Sequence, residues 1–207
     1  MKKIIKSTIL AAATAFIPLS GEMKVLAFAG SLREESYNKK LIQEAAQIAR
    51  EMGAKVTVIN LNDYPMPFYN EDIERKEGLP KNAEKLQEIM IKSDAIIIST
   101  PEYNGSVPAV LKNALDWVSR NGFVSYTHMA YGGKRFALMS ASAGGGGGRR
   151  ALSNLRTIVT SAGGTVMETE VTIPEAHEYF ADKKRSENSR LKKEIEELLQ
   201  PAAVHGT

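Results

Sequence analysis

Short apolar runs alternate with stretches of helical periodicity from Lys24 onward. Runs such as KVLAFA at 24–29 and AIIIS at 95–99 are apolar almost throughout, which is typical of strands buried on both faces of a parallel sheet. Between the runs, apolar residues recur at the spacing of an amphipathic helix. The pattern predicts strands at 24–29, 56–61, 95–99, 135–140 and 165–173, and helices at 37–52, 81–92, 107–119, 149–162 and around 191–199.

This order of elements predicts one fold class. Five strands that alternate with five helices, without internal repeats, form a doubly wound α/β sandwich, because right-handed crossovers place helices on both faces of a parallel sheet. We therefore expect one domain with a five-stranded parallel sheet over 23–207, and a loop rich in Pro, Asn and Asp at 62–80. In such folds ligands bind beyond the carboxyl ends of the strands. The loops that follow the strands are therefore the candidate site.

The first 22 residues differ from the rest of the chain. Three lysines, Lys2, Lys3 and Lys6, precede a run at 7–19 that is apolar or small, which resembles a secretory signal peptide. However, Lys6 interrupts the apolar region and the small-x-small triplet at 13–15 comes too early, so a second interpretation is an extension ahead of a start at Met23. The run is too short to span a membrane. We expect a leader at 1–22 and a cytoplasmic protein, with export by the leader left open.

The amino-acid composition limits the chemistry that the protein can carry out. The chain has 207 residues, of which 43% are hydrophobic and 25% are charged, as in one ordinary globular domain. It has no cysteine, which excludes thiolate nucleophiles, Cys-ligated zinc and iron–sulfur clusters, so any redox activity needs a bound cofactor. The three histidines, His128, His177 and His205, lack metal-ligand spacing, and we expect no metal site.

Most of the formal net charge of +3 comes from the N-terminal 22 residues. Residues 1–22 contain three lysines and one glutamate, a net +2, so the remaining residues carry only +1. No stripe of Lys and Arg is interleaved with aromatic residues, and basic clusters such as the one at 183–185 are short. The sequence therefore predicts no nucleic-acid partner.

The loop after the first strand collects groups that bind a phosphate. Hydroxyl, amide and guanidinium donors stand next to the backbone N–H groups of a helix N-terminus, which together form an anion site without a metal. The loop lacks the Gly-Lys-Ser/Thr of a nucleotide triphosphate loop. A second interpretation is that the serine and asparagine only cap the helix while the arginine is solvated. The candidate cofactor-binding residues of this loop are Ser31, Arg33, Ser36, Tyr37 and Asn38.

The loop after the third strand is a Pro-initiated turn. Its backbone groups, an aromatic ring and an amide suit the edge of a flat polar heterocycle. Turn formation alone explains Pro101, Asn104 and Gly105, but it does not explain Glu102 or Tyr103. The candidate binding residues here are Pro101, Glu102, Tyr103 and Asn104. We also expect Ser106 to cap the following helix, with Pro108 in its first turn.

The loop after the fourth strand contains Ser142 and five glycines at 144–148. Glycine lets the backbone pass close to a ligand, although a low-complexity loop without a ligand has the same composition. No GxGxxG dinucleotide motif fits the run. Ser142 also lies near a Gly-x-Ser-x-Gly nucleophile motif and is followed by Asp182 and His205 in the order of a serine hydrolase, but the first glycine is missing.

Three motifs together resemble the NADPH-dependent FMN reductase family, in the branch of the flavodoxin-like fold that includes chromate and quinone reductases. They are Gly-Ser-Leu-Arg-x-x-Ser-Tyr-Asn at 30–38, Pro-Glu-Tyr-Asn-x-Ser-x-Pro at 101–108 and Leu-Lys-Asn-Ala-x-Asp-Trp at 111–117. The resemblance covers about 23–180. It implies that Ser31, Arg33, Ser36 and Asn38 hold the FMN phosphate, that Pro101, Glu102, Tyr103 and Asn104 meet the isoalloxazine edge, and that Ser142 and the glycines lie on the other side of the flavin.

The resemblance also implies an activity. NADPH or NADH would pass hydride through bound FMN to a quinone, an azo compound, a metal oxyanion or free flavin, and the cofactor rather than a catalytic side chain would carry the chemistry. Family members are commonly homodimers or homotetramers, so Trp117 and Arg120 are candidates for assembly contacts. The alternative is a non-enzymatic FMN electron carrier, which would be expected to have an acidic docking face that this near-neutral domain lacks.

Overall fold

The computed structural model of the protein describes residues 22–123, 125, 127–182 and 188–200. The strands are β1 (Lys24–Ala29), β2 (Lys55–Asn60), β3 (Ala95–Ser99), β4 (Arg135–Ala141), β5 (Thr165–Val166) and β6 (Val171–Ile173). The helices are α1 (Tyr37–Glu51), α2 (Glu71–Glu77), α3 (Lys81–Lys92), α4 (Ala109–Val118), α5 (Arg149–Ser161), α6 (Ala176–Ala181) and α7 (Ser189–Leu199), with one 3-10 turn at Leu61–Asp63.

All strands of the sheet run parallel, in the order β2-β1-β3-β4-β5, and β6 continues beside β4 where β5 ends. Ala29 pairs with Ser99 and Ser99 pairs with Met139, so β1 and β3 end at one level and β4 extends two residues farther, to Ala141. The chain reverses its direction of winding between β1 and β3, which is where doubly wound sheets bind ligands. The predicted fold class is confirmed.

Alternate residues of each strand enter two separate hydrophobic layers. In β3, Ala95 and Ile97 pack toward α1, α6 and α7, whereas Ile96 and Ile98 pack toward α3, α4 and α5. Each of these β3 side chains is fully buried. Because both faces of the strand are covered, the run is apolar without alternation, as the sequence pattern indicates.

The fifth strand is interrupted, so the prediction of one strand at 165–173 is wrong. Val166 pairs with Phe136 and Val171 with Met139, so four residues of the fifth strand lie opposite two of β4. The Arg156 guanidinium donates to the Met167 carbonyl oxygen at 2.7 Å within this bulge. A side chain therefore satisfies a backbone group that the sheet does not pair.

The predicted loop at 62–80 contains the short helix α2, which the periodicity did not indicate. The Asn70 side chain accepts from the Asp72 N–H at 2.8 Å and so caps the N-terminus of the helix, and Gly78 is the C-cap residue. Glu74 is fully buried and pairs with Arg120 at 2.9 Å. A helix this short depends on such tertiary contacts rather than on its own propensity.

Two smaller expectations about helices are also corrected. Ser106 does not cap α4, which begins at Ala109 after Pro108 and has no side-chain cap. The Ser106 hydroxyl instead lies 3.2 Å from the Asn154 amide nitrogen. The short helix α6 was not predicted, because the apolar pattern there continues only for about one turn.

No helix in the described part of the chain combines the length and the apolar character needed to cross a membrane. The predicted leader lies outside the described residues except for Glu22, and so does His205.

Candidate active site

Three loops meet at the carboxyl edge of the sheet. They follow β1 (30–36), β3 (100–108) and β4 (142–148). The Gly30 N–H donates to the Ser99 carbonyl at 2.8 Å, and the Thr100 N–H donates to the Met139 carbonyl at 2.9 Å. The first two loops therefore begin against the neighbouring strand, and the third begins where the Ser142 N–H donates to the Ile173 carbonyl at 3.0 Å. The structure thus brings together the three segments that the sequence selects.

The first loop leads into an α1 N-terminus that is open to an anion. Ser36 is the N-cap residue, yet its side chain makes no capping hydrogen bond, and the first turn contains no acidic residue. The N–H groups of the first turn of a helix have no partner within the helix, and they carry partial positive charge. Ser31 and Ser36 are nearly buried beside this terminus, and Arg33 is exposed. This donor set fits a phosphate group.

Asn38 joins three elements and does not cap the helix. Its Nδ2 donates to the Ala141 carbonyl at 2.8 Å, and its Oδ1 accepts from the Ala141 N–H at 2.9 Å and from the Ser99 hydroxyl at 2.7 Å. Only 2% of the residue is exposed. The interpretation of Asn38 as a helix cap is therefore wrong. The side-chain amide that the resemblance assigns to the FMN phosphate is bonded within the fold, which leaves only the Asn38 backbone N–H for a phosphate. Its side chain fixes α1 against the ends of β3 and β4.

Tyr37 faces α6. Its ring stacks on Phe180 with centroids 5.8 Å apart and an interplanar angle of 5°. The Lys40 ammonium lies 5.7 Å from the Tyr37 ring centroid. Tyr37 therefore anchors the start of α1 to the neighbouring helix.

The second loop folds back as a tight hairpin. Tyr103 and Ser106 exchange two backbone hydrogen bonds, of 3.0 and 3.1 Å. Asn104 and Gly105 between them have φ values of 51° and 79°, the left-handed pair of a type I′ turn, which explains the Asn-Gly sequence. The Tyr103 side chain is left 47% exposed at the tip of the loop. The turn thus presents a half-exposed aromatic ring at the carboxyl edge of the sheet.

Glu102 holds the second loop against the start of α5. Its carboxylate lies 2.6 and 2.7 Å from two nitrogens of the Arg150 guanidinium and accepts from the Arg150 N–H at 3.1 Å. The hydrogen bonds from Arg150 lower the pKa of the Glu102 carboxyl. Sequence reasoning did not foresee this pair, or the bond from Asn154 Nδ2 to the Gly105 carbonyl, because no local pattern links the loop to α5. Together they explain why turn formation alone does not account for Glu102.

The third loop lines a cleft of about 310 Å³ together with Glu102 and Arg150. Ser142 and three of the glycines contribute to its wall. Gly148 is required by geometry, because its φ is 79° and an added Cβ would lie 1.9 Å from the Ser140 hydroxyl. That hydroxyl donates to the Thr100 carbonyl at 2.6 Å. The loop is therefore partly a close-packed support for its neighbour and not only a low-complexity segment.

The arrangement does not support a serine hydrolase. A nucleophile motif places serine on a sharp turn directly between strand and helix. Here α5 does not begin until Arg149, and the Ser142 hydroxyl accepts from the Gly144 N–H at 3.2 Å. Among the described residues, no group of His, Cys, Asp and Glu side chains is arranged to hold a metal ion.

Comparison with known proteins decides the family. The sequence model of NADPH-dependent FMN reductases matches residues 23–178, which include all three loops. The chain belongs to the NADPH-dependent FMN reductase family.

Relatives of this FMN reductase agree in sequence and in structure. The chain is 35% identical over 183 residues to an NAD(P)H-dependent FMN reductase of Pseudomonas aeruginosa, and the match covers 88% of this chain and 94% of the relative. It is 34% identical over 152 residues to a quinone reductase of Escherichia coli K12, covering 72% and 76%. A solved flavoenzyme NAD(P)H:(acceptor) oxidoreductase of Paracoccus denitrificans superimposes with a TM-score of 0.68 at 26% identity, covering 86% and 95%. The protein is thus an NAD(P)H-dependent flavin oxidoreductase with a flavodoxin-like fold.

The described residues of the reductase fit FMN in two respects. The open α1 N-terminus with Ser31, Ser36 and Arg33 supplies hydrogen-bond donors and positive charge for a phosphate. The second loop offers the exposed Tyr103 ring and backbone polar groups within reach of a flat ring system. Both features lie at one edge of the sheet.

Trp117 is not an assembly contact of the reductase. It is fully buried, its Nε1 donates to the Pro67 carbonyl at 2.8 Å, and its ring meets Tyr69 edge to face at 5.0 Å. Arg120 likewise is occupied by Glu74 and lies 5.4 Å from the Tyr69 ring centroid. The predicted assembly role of Trp117 is wrong, since its buried side chain fixes the segment before α2 to α4. Arg120 joins the end of α4 to Glu74 of α2, and its assembly role stays a prediction.

Proposed function

We propose that this reductase transfers hydride from NADPH or NADH to a quinone by way of FMN held at the three loops. The observation that supports the proposal most directly is the convergence of an uncapped α1 N-terminus and the exposed Tyr103 turn at the carboxyl edge of β1 and β3. The quinone reductases among its relatives support the choice of acceptor. An azo compound, a metal oxyanion or free flavin is a less favoured acceptor.

The residues have separate tasks in this proposal. Ser31, Arg33, Ser36 and the first N–H groups of α1 bind the phosphate, and Asn38 positions these groups. Pro101, Glu102, Tyr103 and Asn104 border one edge of the flavin ring. Ser142 and the glycine loop border another. The backbone of Glu102 would border the flavin ring, whereas its side chain pairs with the Arg150 guanidinium.

Bound FMN would supply the capacity to accept hydride from the nicotinamide and to pass it on. In balance, NADPH loses a hydride and becomes NADP⁺, while the quinone gains two electrons and two protons, one of which comes from water. The protein would orient both substrates against the flavin ring.

A panel of acceptors tests the proposal. FMN-loaded protein is assayed for NADPH oxidation with a naphthoquinone, chromate, an azo dye and free FMN under one condition. We expect the highest kcat/KM for the naphthoquinone. A kcat/KM that is at least as high for chromate would overturn the choice of acceptor, and slow NADPH oxidation with every acceptor would favour the electron carrier.

We also propose that the reductase forms homodimers or homotetramers. Large apolar side chains such as Met129, which is 63% exposed, remain uncovered on the single chain. Light scattering of the FMN-loaded protein should give two or four times the mass of the chain. A monomer at micromolar concentration would contradict this proposal.

A further inference from the structure

A second cleft, of about 370 Å³, lies beside the first loop. Leu32 forms one wall and the segment 61–68 forms the other, and Val110 and Asn113 of α4 also line the cleft. Phe68 is 75% exposed and Leu32 is 48% exposed. We call this the Leu32–Phe68 cleft. Its volume lies within the range of small-molecule sites, roughly 300–1,000 Å³.

The two walls are tied to each other. Asn62 Nδ2 donates to the Leu32 carbonyl at 3.0 Å, which joins the segment after β2 to the loop after β1. This bond connects backbone near Ser31 and Arg33, the proposed phosphate ligands, to the opposite wall. A ligand in the cleft would therefore lie next to the candidate FMN site.

The outer wall is also fixed to α4. Asn113 Nδ2 and Trp117 Nε1 both donate to the Pro67 carbonyl, at 2.9 and 2.8 Å. Asn113 Oδ1 accepts from the Tyr69 N–H at 2.7 Å. These bonds hold the backbone on each side of Phe68, although the Phe68 side chain projects into solvent. The cleft is thus pre-organised, which lowers the entropic cost of binding.

The lining of the cleft has no formal charge. Among the described residues that form it, none is Lys, Arg, Asp or Glu. Burial, and to a smaller degree the nearby Asp63 carboxylate, raises the pKa of Tyr64, so its phenol is neutral at physiological pH. The cleft at the glycine loop differs, since Glu102, Arg149 and Arg150 line it. An ion would lose hydration in the Leu32–Phe68 cleft without gaining a countercharge.

We infer that the Leu32–Phe68 cleft binds the flat, uncharged ring of a quinone-type electron acceptor and discriminates against charged oxyanions. Leu32, Met66 and Val110 supply apolar contacts, and Phe68 supplies an aromatic face. The inference rests on the proposed function, because it assigns the acceptor to a place beside the same FMN site.

The test is Phe68→Ala, with Phe123→Ala as the matched control. Phe123 is 87% exposed and does not line the cleft. With 2-methyl-1,4-naphthoquinone we expect KM to rise about tenfold for Phe68→Ala and to stay unchanged for Phe123→Ala. The Kd of this quinone for the oxidised FMN-loaded protein, measured by equilibrium dialysis without NADPH, should rise by the same factor. The KM for NADPH, the Kd for FMN and the rate with ferricyanide should not change.

A charge variant tests discrimination. Phe68→Lys should raise the KM for the quinone and lower the KM for chromate, because it places a cation at the rim. A quinone Kd that is the same in wild type and Phe68→Ala would overturn the inference. So would a rise in the KM for NADPH, which would assign the cleft to the nucleotide, or a change in mass by light scattering, which would assign it to a second copy of the chain. If the wild-type protein reduces neither the quinone nor ferricyanide, the proposed function itself is wrong.

Discussion

Asn38 pairs with the backbone of Ala141 through both polar atoms of its side-chain amide, at 2.8 and 2.9 Å. The amide acts as a short strand would, and satisfies both backbone groups of the last residue of β4. Because Ala141 immediately precedes Ser142, this pair fixes where the glycine loop begins. It also sets the start of α1 relative to that loop.

Asn38→Ala should destabilise the fold by about 2–4 kcal/mol. The substitution removes three hydrogen bonds and leaves buried groups of Ala141 unpaired. Chemical denaturation gives the change in the free energy of unfolding. Asn82→Ala, which removes one surface bond to the Pro65 carbonyl, is the control and should cost less than about 1 kcal/mol. Equal losses in the two variants would show that Asn38 has no special structural role.

Arg150→Gln and Glu102→Gln should each weaken FMN binding by about three- to tenfold, and the double variant should be no weaker than either. Arg150 is 79% exposed, so its ion pair contributes little to global stability and acts mainly by placing the second loop. The measurement is a double-mutant cycle on the Kd for FMN. If Arg150→Gln weakens binding just as much in the Glu102→Gln background, Arg150 contacts FMN directly and the positioning role is wrong.

Gly148→Ala should destabilise the protein by about 1–3 kcal/mol, whereas Gly146→Ala should not destabilise it. At Gly148 the new methyl group would meet Ser140 in a left-handed backbone conformation, and moving Ser140 would break its bond to the Thr100 carbonyl. At Gly146 an added Cβ has nothing within 4 Å. Thermal unfolding of the two variants gives the comparison. A larger loss at Gly146 would contradict the described loop.

Glu194→Gln should stabilise the protein at pH 8 by about 1 kcal/mol or more and change it little near pH 4. Glu194 is fully buried on α7, and among the described residues its carboxyl oxygens have no hydrogen-bond partner. Burial raises the pKa of this carboxyl well above its usual value of 4.5. The nearby Leu138 backbone, which is outside strict hydrogen-bond geometry, and Arg190 oppose the shift, while Glu170 and Glu197 add to it.

The direction of this pH effect follows from the protonation of Glu194 in the folded protein and in the unfolded chain. Above about pH 4.5 the unfolded chain loses this proton while the folded protein keeps it, so stability falls as pH rises until the raised pKa is passed. Glutamine cannot ionise and removes this loss. Glu196→Gln on the exposed side of the same helix is the control. An identical pH dependence of wild type and Glu194→Gln would show that Glu194 is not protonated in the fold.

Much of the fold was predictable because a strand that is buried on both faces has a continuous apolar run in the sequence. The run Ile96–Ile98 is one example, since each residue is fully covered. The break at 167–170 left no such mark, because Arg156 and Glu197, distant in sequence, hold it. Likewise α2 depends on Arg120, and the short α6 lies below the length at which periodicity is informative.

The candidate site was predictable as loops but not as contacts. Strand ends identified the segments around Ser31, Tyr103 and Ser142, because parallel strands end at one edge. The pairs that fix these loops, Asn38 with Ala141 and Glu102 with Arg150, join positions far apart in the chain. Trp117 was misassigned to an assembly contact, because no local pattern shows that the segment at 67–69 covers its side chain.

FMN binding at the three loops is tested most directly by incubating wild type and Ser36→Asp with FMN, removing excess flavin, and recording the visible spectrum before and during anaerobic addition of NADPH. Aspartate is a good N-cap residue, so α1 should still form, but it places negative charge where the phosphate is proposed to bind. We expect wild type to retain one FMN per chain, to lose its flavin absorption within seconds of adding NADPH and to regain it with a quinone, and we expect Ser36→Asp to retain no flavin. Wild-type protein that binds no FMN, or a Ser36→Asp variant that binds it equally well, would contradict the account.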